Sequence, residues 1–261
     1  MSYWNAFAKK YPSRSLLRLD GGSIFSRGVA ASSIVNRYML EGTSRSNLDA
    51  INVSSWDIPV WQEMGDMAAA GMISGDFLKL PLVSANVTTK LPNFPAIQPY
   101  IIKELQVDPK AGKPLRVGIT GLLIDPEERI SRTDFQVQKP QEAARKIVAE
   151  LSGKADYVII LTEMGLGEAI SLSLVVPGIN MLVVAHDYTT PIDAQQIGDT
   201  LVLGPIHEGQ MLSEVRLTIK SGAQRVEIES HTVPLNETVP DDPALGELIR
   251  KAKEEVDKAQ K

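Results

Sequence analysis

The sequence predicts an α/β fold, because short apolar runs typical of strands alternate along the chain with segments of helical spacing. Residues 157–161 are wholly apolar, which is typical of a strand at the centre of a buried sheet. Residues 141–151 carry apolar side chains at i, i+3, i+4 and i+7, so they predict an amphipathic helix. With 261 residues, 43% of them hydrophobic, the chain suits one large domain or two small ones and can form a sizeable core.

The same patterns predict the other elements in order. In the first half we expect strands at 15–19, 48–53 and 80–87, and helices at 29–40 and 60–70. Residues 100–105 and 115–123 form a hairpin or neighbouring strands around a turn at 110–114. In the second half, strands at 181–184, 200–203 and 215–219 continue the sheet, residues 225–231 form a half-exposed strand, and the tail at 241–261 becomes a charged helix.

Composition disfavours several classes of protein. The net charge is −5 and no basic cluster stands out, so a nucleic acid is not an expected partner. No apolar run approaches the ~18 residues of a membrane span. The absence of cysteine excludes disulfides, thiolate metal sites and a cysteine nucleophile. Residues 1–10 lack the apolar core of a signal peptide, so we expect a cytoplasmic protein as written, or a periplasmic one whose signal has been removed.

Polar side chains follow four of the predicted strands, within 20–25, 54–59, 162–165 and 185–188. In α/β sheets, ligands bind beyond the carboxyl ends of the strands, so these segments are the expected site. Histidine is scarce, with only three in the chain: His186, His207 and His231.

Several motifs recur in the order of a known family. Leu-Asp-Gly-Gly-Ser-Ile-Phe (19–25) resembles an Asp-Ala-Gly-Asp-x-Phe loop, and residues 81–87 resemble a Leu-Ser-Ala-Asn-Val strand. Residues 176–180 resemble Val-Pro-Gly-Ile-Asp, and Ala-His-Asp-Tyr (185–188) resembles Gly-His-Asp-His. Together, over roughly residues 14–257, they resemble the calcineurin-like metallophosphoesterases, in particular the N-terminal domain of the 5'-nucleotidases.

This resemblance implies a four-layer αββα sandwich, with two mixed β-sheets flanked by helices. It implies a metallophosphoesterase-like domain at 14–240, an N-terminal extension at 1–13 and a C-terminal charged helix at 241–261. We expect the 5'-nucleotidase substrate domain, which would stack the base, to be absent.

In that family two bridged metals, Mn, Fe or Zn, activate a water and clamp the phosphate. Position by position, the bridging aspartate falls on Ser23, the amide ligand on Ser55, the histidine beside it on Trp56 and the following acid on Asp57. A lone histidine falls on Glu163.

In the family's last histidine motif, His186 keeps the first imidazole and is followed by Asp187, but Tyr188 replaces the second imidazole. The resemblance therefore implies that most metal ligands are lost. The bulky ring of Trp56 is expected to plug or reshape the pocket.

Candidates for catalysis remain at Asp57, Glu163 and His186, and candidates for metal binding at Glu163 and His186. The other positions equivalent to the pocket are Asp20, Gly22, Ser23, Ser55, Trp56, Asn86, Asp187 and Tyr188. Several of them also have a structural interpretation. Glu163 would be a solvated carboxylate at the sheet rim, residues 20–22 a tight turn, Asn86 a loop-fixing side chain, and His186 and Asp187 local hydrogen-bonding groups.

Three hypotheses follow. The first is a non-catalytic homologue that acts as a structural or interaction subunit with protein partners and without a cofactor. The second is a phosphoesterase that uses a divalent metal (Mn, Zn or Fe) in a site rebuilt from Asp57, Glu163 and His186. The third is a nucleotide or anion sensor. Tyr3, Trp4 and Phe7 would anchor a partner or cap the core.

Overall fold

The computed structural model describes residues 2–11, 15–106, 113–131, 133–185, 194–204, 209–219 and 226–260. The α-helices in these ranges are α1 (Ser2–Lys10), α2 (Ser32–Ser44), α3 (Ile58–Ala69), α4 (Pro140–Leu151), α5 (Leu166–Val175) and α6 (Pro243–Ala259). The strands are β1 (Leu19–Asp20), β2 (Ala50–Asn52), β3 (Leu82–Val83), β4 (Val87–Thr89), β5 (Ile97–Gln98), β6 (Ile101–Leu105), β7 (Leu115–Leu122), β8 (Phe135–Val137), β9 (Tyr157–Thr162), β10 (Met181–Val184), β11 (Gln195–Ile197), β12 (Thr200–Leu203), β13 (Met211–Ile219) and β14 (Val226–Pro234). None of these helices combines the length and the hydropathy that a bilayer-spanning helix needs.

Two main sheets organise the domain. The first has the order β1-β2-β3-β5, and each of its described pairs is parallel. The second has the order β11-β12-β10-β9-β7-β6, parallel at its centre and antiparallel at both edges. The central strand β9 is buried at all six positions, as its apolar sequence predicts.

The sheets lie face to face, because each presents one apolar face to the other. Val83 of the first sheet shares a buried cluster with Ile119, Ile159 and Met181 of the second. Burial of each large apolar side chain contributes about 1.5–3 kcal/mol.

Helices cover the two outer faces. Leu40 of α2 and Trp61 of α3 are buried in one cluster with Ile51 of the first sheet. Ile147 of α4 and Leu172 of α5 are buried in another cluster on the second sheet. The order helices, sheet, sheet, helices confirms the four-layer αββα sandwich.

Two glycines let the sheets approach closely near the carboxyl ends of their strands. A Cβ on Gly121 would lie 2.1 Å from Asn52 Oδ1, and a Cβ on Gly21 would lie 2.3 Å from the Cβ of Ala185. Only glycine fits such contacts without displacing a neighbour. The loops that follow β1, β2, β7 and β9 are thereby brought to one edge of the sandwich.

The first helix and the hairpin β13–β14 pack together at the periphery. Tyr3 of α1 donates to Glu214 of β13, and Arg216 donates to Tyr11. Tyr3 also stacks on Phe7, with ring centroids 6.3 Å apart. These N-terminal aromatic side chains thus contact the protein's own fold.

The last helix, α6, packs on α2. Asp242 caps α6 by accepting from the backbone N–H groups of Ala244 and Leu245, at 3.1 and 3.3 Å. The carboxylate of Glu255 accepts from Tyr38 at 2.9 Å and also pairs with Arg37.

The structure differs from several predicted elements. Residues 215–219 do not continue the main sheet; they belong to β13, which pairs with β14 as a separate two-stranded sheet. The strand predicted at 80–87 divides into β3 and β4, and β4 pairs with β8 in a small ribbon. The strand predicted at 15–19 is only the two residues of β1. The helices α1 and α5 and the short strands β5, β8 and β11 are not among the predicted elements. Most of the turn predicted at 110–114 lies outside the described residues.

Candidate functional site

The loop after β1 is held by hydrogen bonds from its own backbone. Gly22 N donates to Asp20 Oδ1 (2.9 Å) and Ser23 N donates to Ser54 Oγ (3.0 Å). Gly22 has φ +90° and Ser23 has φ +62°, so consecutive residues in the left-handed region turn the chain sharply. The segment 20–22 is therefore a tight turn, and these two N–H groups already have acceptors.

Asp57 holds the next two N–H groups of the same loop. Its carboxylate accepts from Ile24 N and from Phe25 N, both at 3.1 Å. The Asp57 side chain is fully buried and precedes the first turn of α3. Burial raises the pKa of Asp57 to about 6, although the hydrogen bonds from Phe25, Ile24 and Ser54 act in the opposite direction. Asp57 thus anchors the loop from inside the protein.

Glu163, directly after β9, is the most heavily hydrogen-bonded carboxylate of this edge. Its Oε1 accepts from Ile124 N (2.8 Å), and its Oε2 accepts from Ser55 N (2.9 Å) and Ser55 Oγ (3.0 Å). The residue is 2% exposed, so the interpretation as a solvated carboxylate at the sheet rim is wrong. Burial raises the pKa of Glu163 to about 7, against the lowering effect of these hydrogen bonds.

Trp56, expected to plug or reshape the pocket, lies partly at the surface. Its side chain is 45% exposed, and its indole N–H donates to Phe25 O at 2.9 Å. The guanidinium of Arg27 lies over the ring, 4.7 Å from its centroid. The indole faces outward because the Phe25 carbonyl and the Arg27 cation hold it there.

Asn86 joins three segments of backbone below the site. Its Nδ2 donates to Leu123 O (2.8 Å) and Gln138 O (3.0 Å), and its Oδ1 accepts from Leu123 N (2.9 Å). The residue is 2% exposed. This is the pattern of a side chain that fixes a loop.

The structure also places two residues at the site that the motifs do not indicate. Ser54 Oγ accepts from Asp57 N (3.2 Å) as well as from Ser23 N, so it links two loops. Asn52 Nδ2 donates to Gly21 O (3.2 Å) and Leu122 O (3.4 Å), while its buried Oδ1 has no partner among the described residues. An asparagine inside the apolar run 50–53 was the available sequence signal for this role.

Three of the predicted site residues, His186, Asp187 and Tyr188, lie outside the described residues. The described segment before them ends at Ala185, which contacts Gly21.

The structure brings Asp20, Ser23, Ser55, Asp57 and Glu163 to one edge. Burial raises the pKa of Asp20 above its ordinary value, opposed by the hydrogen bond from Gly22.

Comparison with known proteins defines the fold. No family model matches the sequence. A curated protein, the uncharacterized metallophosphoesterase YunD of Bacillus subtilis (strain 168), is 20% identical over 207 residues, which are 79% of this chain and 41% of that protein. This chain thus spans less than half the length of that relative.

Solved structures extend the likeness. The calcineurin-like phosphoesterase YfkN from Bacillus subtilis matches with a TM-score of 0.71 and 16% identity, over 99% of this chain and 89% of that one. A 5'-nucleotidase precursor from Thermus thermophilus matches with a TM-score of 0.73 and 19% identity, over 96% of this chain and 51% of that one. This chain has the calcineurin-like metallophosphoesterase fold.

A metallophosphoesterase fold implies a pair of metals held by converging side chains. Among the described residues, no three His, Asp or Glu side chains converge on a point where a cation could bind. The two buried carboxylates, Asp57 and Glu163, each already accept from two backbone N–H groups. Two dications also need a bridging anion. Ser23, whose hydroxyl is neutral, occupies the position at which the resemblance places the bridging aspartate. The described residues do not fit a dinuclear metal centre.

Proposed function

We propose that this protein is a metallophosphoesterase-fold protein without hydrolytic activity that acts as a structural or interaction subunit with protein partners. One observation carries the proposal: the carboxylates of Asp57 and Glu163 serve as internal acceptors for the loops of the cleft. They hold these loops in place at the edge where an enzyme of this fold would place its reacting groups.

The energetics of metal binding support this. A carboxylate has about four acceptor positions, and Glu163 already accepts from Ser55 and Ile124 through both of its oxygens, which leaves little of it free for a cation. Asp57 is fully buried and accepts from Ile24 and Phe25, one on each oxygen. A metal site rebuilt from these two carboxylates would therefore have to overcome the hydrogen bonds that hold the loops.

The same contacts disfavour the anion-sensor hypothesis. A glycine-rich turn binds phosphate through free backbone N–H groups. In this loop the N–H groups of residues 22–25 donate to Asp20, Ser54 and Asp57. A phosphate would have to displace the buried Asp57 carboxylate. We therefore favour an interaction role over ligand sensing.

The test combines metal analysis with an activity assay. Purified protein is incubated with Mn²⁺ or Zn²⁺, desalted and analysed by mass spectrometry for bound metal, and its melting temperature is compared with and without each ion. We expect substoichiometric metal, no rise in melting temperature and no hydrolysis of AMP or p-nitrophenyl phosphate above the level of a Glu163→Gln control. Stoichiometric metal together with turnover that disappears in Glu163→Gln and in Asp57→Asn would establish the rebuilt phosphoesterase instead.

A further inference from the structure

A shallow groove of about 500 Å³ lies along the solvent-facing side of α3. It is lined by Pro59, Gln62, Glu63, Asp66, Met67 and Met72. These residues play no part in the hydrogen bonds described for the strand-end loops. Met72 is 65% exposed, more than the exposed indole of Trp56. The groove is thus an accessible surface separate from the candidate site.

The lining combines acidic and apolar groups. Glu63 and Asp66 lie three positions apart on one helix face, and no lining residue is basic. Met67 and Met72 supply flexible thioether side chains, which adapt to the shape of a partner. The surface therefore complements a cation that carries an apolar stem.

Hydrogen bonding fixes the acidic side of the groove. Asp66 Oδ1 accepts from Gln62 Nε2 (3.0 Å) and from Asn93 Nδ2 (2.8 Å). The bonds from Asn93 and then Gln62 hold the pKa of Asp66 below its usual value, so the groove keeps its negative charge.

One acceptor in the groove has no donor. Gln62 Oε1 is buried and, in the described part of the chain, makes no hydrogen bond. An unpaired buried acceptor is unfavourable, but this oxygen has no contact with solvent, so a partner would reach it only after the side chains around it moved. Since Gln62 Nε2 is committed to Asp66, the amide cannot turn to satisfy its own oxygen without losing that bond.

We propose that this α3 groove binds a segment of a partner protein that presents a lysine or arginine between apolar side chains. The cationic head would donate to the carboxylates of Glu63 and Asp66, while its methylene stem packs on Met67 and Met72. Nucleic acids and anionic membranes do not fit, because the carboxylates repel phosphate. The inference rests on the proposed function, since it gives the interaction role a surface.

The test uses the full chain labelled with 13C at its methionine methyl groups. Two synthetic peptides serve as probes, one alternating lysine with leucine and one with glutamate in place of each lysine. We expect the lysine peptide to shift the methyl resonances of Met67 and Met72 but not of the buried Met64 and Met164, and the glutamate peptide to shift none of them. No shift at Met67 and Met72 would refute the inference, and so would equal binding of both peptides.

A matched pair of variants separates this groove from general charge attraction. The double variant Glu63→Gln/Asp66→Asn should weaken binding of the lysine peptide about fivefold. The control Glu128→Gln/Glu142→Gln makes the same change of net charge at exposed positions elsewhere and should leave affinity unchanged. Equal weakening in both variants would show that only net charge matters and would overturn the proposal.

The outcome also separates this inference from the proposed function. Metal-dependent hydrolysis by a protein that still binds the lysine peptide in the α3 groove would remove the proposed function and leave the groove. An inert protein whose groove does not bind the peptide would refute the groove inference and leave the proposed function standing.

Discussion

Ser55 and Glu163, 108 positions apart in the chain, are joined through both the amide and the hydroxyl of the serine, at 2.9 and 3.0 Å. Ser55 follows β2 of the first sheet and Glu163 follows β9 of the second. One buried carboxylate therefore ties the two sheets together at the edge where their strands end. In a two-metal enzyme, cations would join these loops; here the described contacts do so with hydrogen bonds.

Removing that carboxylate should destabilise the fold strongly. Glu163→Ala leaves the N–H groups of Ser55 and Ile124 buried without an acceptor, so we expect a loss of about 3–4 kcal/mol in the free energy of unfolding. Glu163→Gln keeps one acceptor oxygen and should lose about 1–2 kcal/mol. Urea denaturation followed by circular dichroism measures both. Glu142→Ala, at an exposed position of α4, is the matched control and should change stability little; an equal loss there would contradict the argument.

Stability should fall as pH rises, because the folded protein holds protons on buried carboxyls. The pKa of Glu163 is 4.5 unperturbed and about 7 in the fold, so its protonated form contributes stability that is complete below pH 4.5 and lost as pH rises through about 7. That shift corresponds to about 3 kcal/mol. Asp57 acts in the same sense between pH 3.8 and about 6.

Urea unfolding at a series of values from about pH 5 to about pH 8 tests this dependence. The wild-type protein should lose stability across the range, and Glu163→Gln should show a flatter profile. A wild-type stability that rises with pH through this window would be inconsistent with a raised pKa at Glu163.

Two helical glycines should respond to alanine in opposite directions. A Cβ on Gly65 of α3 would lie 1.9 Å from the backbone oxygen of Asn93, so Gly65→Ala must displace that loop and should cost about 3 kcal/mol. Gly246 of α6 has nothing within 4 Å of its added Cβ, so Gly246→Ala should stabilise by about 0.5–1 kcal/mol. Thermal unfolding of both variants gives the comparison. A stabilised Gly65→Ala would show that α3 does not rest on Asn93 as described.

The two tryptophans that flank the start of α3 should behave differently. Trp61 is fully buried, so Trp61→Ala should cost about 3–5 kcal/mol. Trp56 is 45% exposed, so Trp56→Ala removes a partly buried ring, its contact with Arg27 and one hydrogen bond, and should cost about 1–2 kcal/mol. Acrylamide quenching checks exposure independently: Trp56→Phe should remove readily quenched fluorescence, and no change on that substitution would place the indole inside the protein.

The central strands could be predicted from the sequence alone. Residues 157–161, 181–184 and 200–203 are continuous apolar runs, and β9, β10 and β12 match them within one residue. The helix α5 is not predicted because its sequence, Leu-Gly-Glu-Ala-Ile-Ser-Leu-Ser-Leu-Val, is apolar on most sides and lacks a clear helical period. The strand at 215–219 is predicted, but its partner is not, because alternation does not identify the neighbouring strand.

At the site, the sequence indicates which residues lie near one another but not which way their side chains point. Strand ends locate Asp57 and Glu163 near one another, since both follow strands whose carboxyl ends share an edge. Whether Glu163 points inward depends on N–H groups supplied by Ser55 and Ile124, far away along the chain. The outward direction of Trp56 depends in the same way on the Phe25 carbonyl. Such long-range partners leave no local pattern.

The packing of α1 on β13 has a consequence for how the chain matures on the ribosome. Residues 2–10 are synthesised well before their partners, yet Tyr3 bonds to Glu214 and Ser2 bonds to the backbone of Pro240. These two contacts can therefore form only after β13 and the segment around Pro240 have emerged. A chain whose synthesis stopped before β13 would lack the carboxylate that accepts from Tyr3.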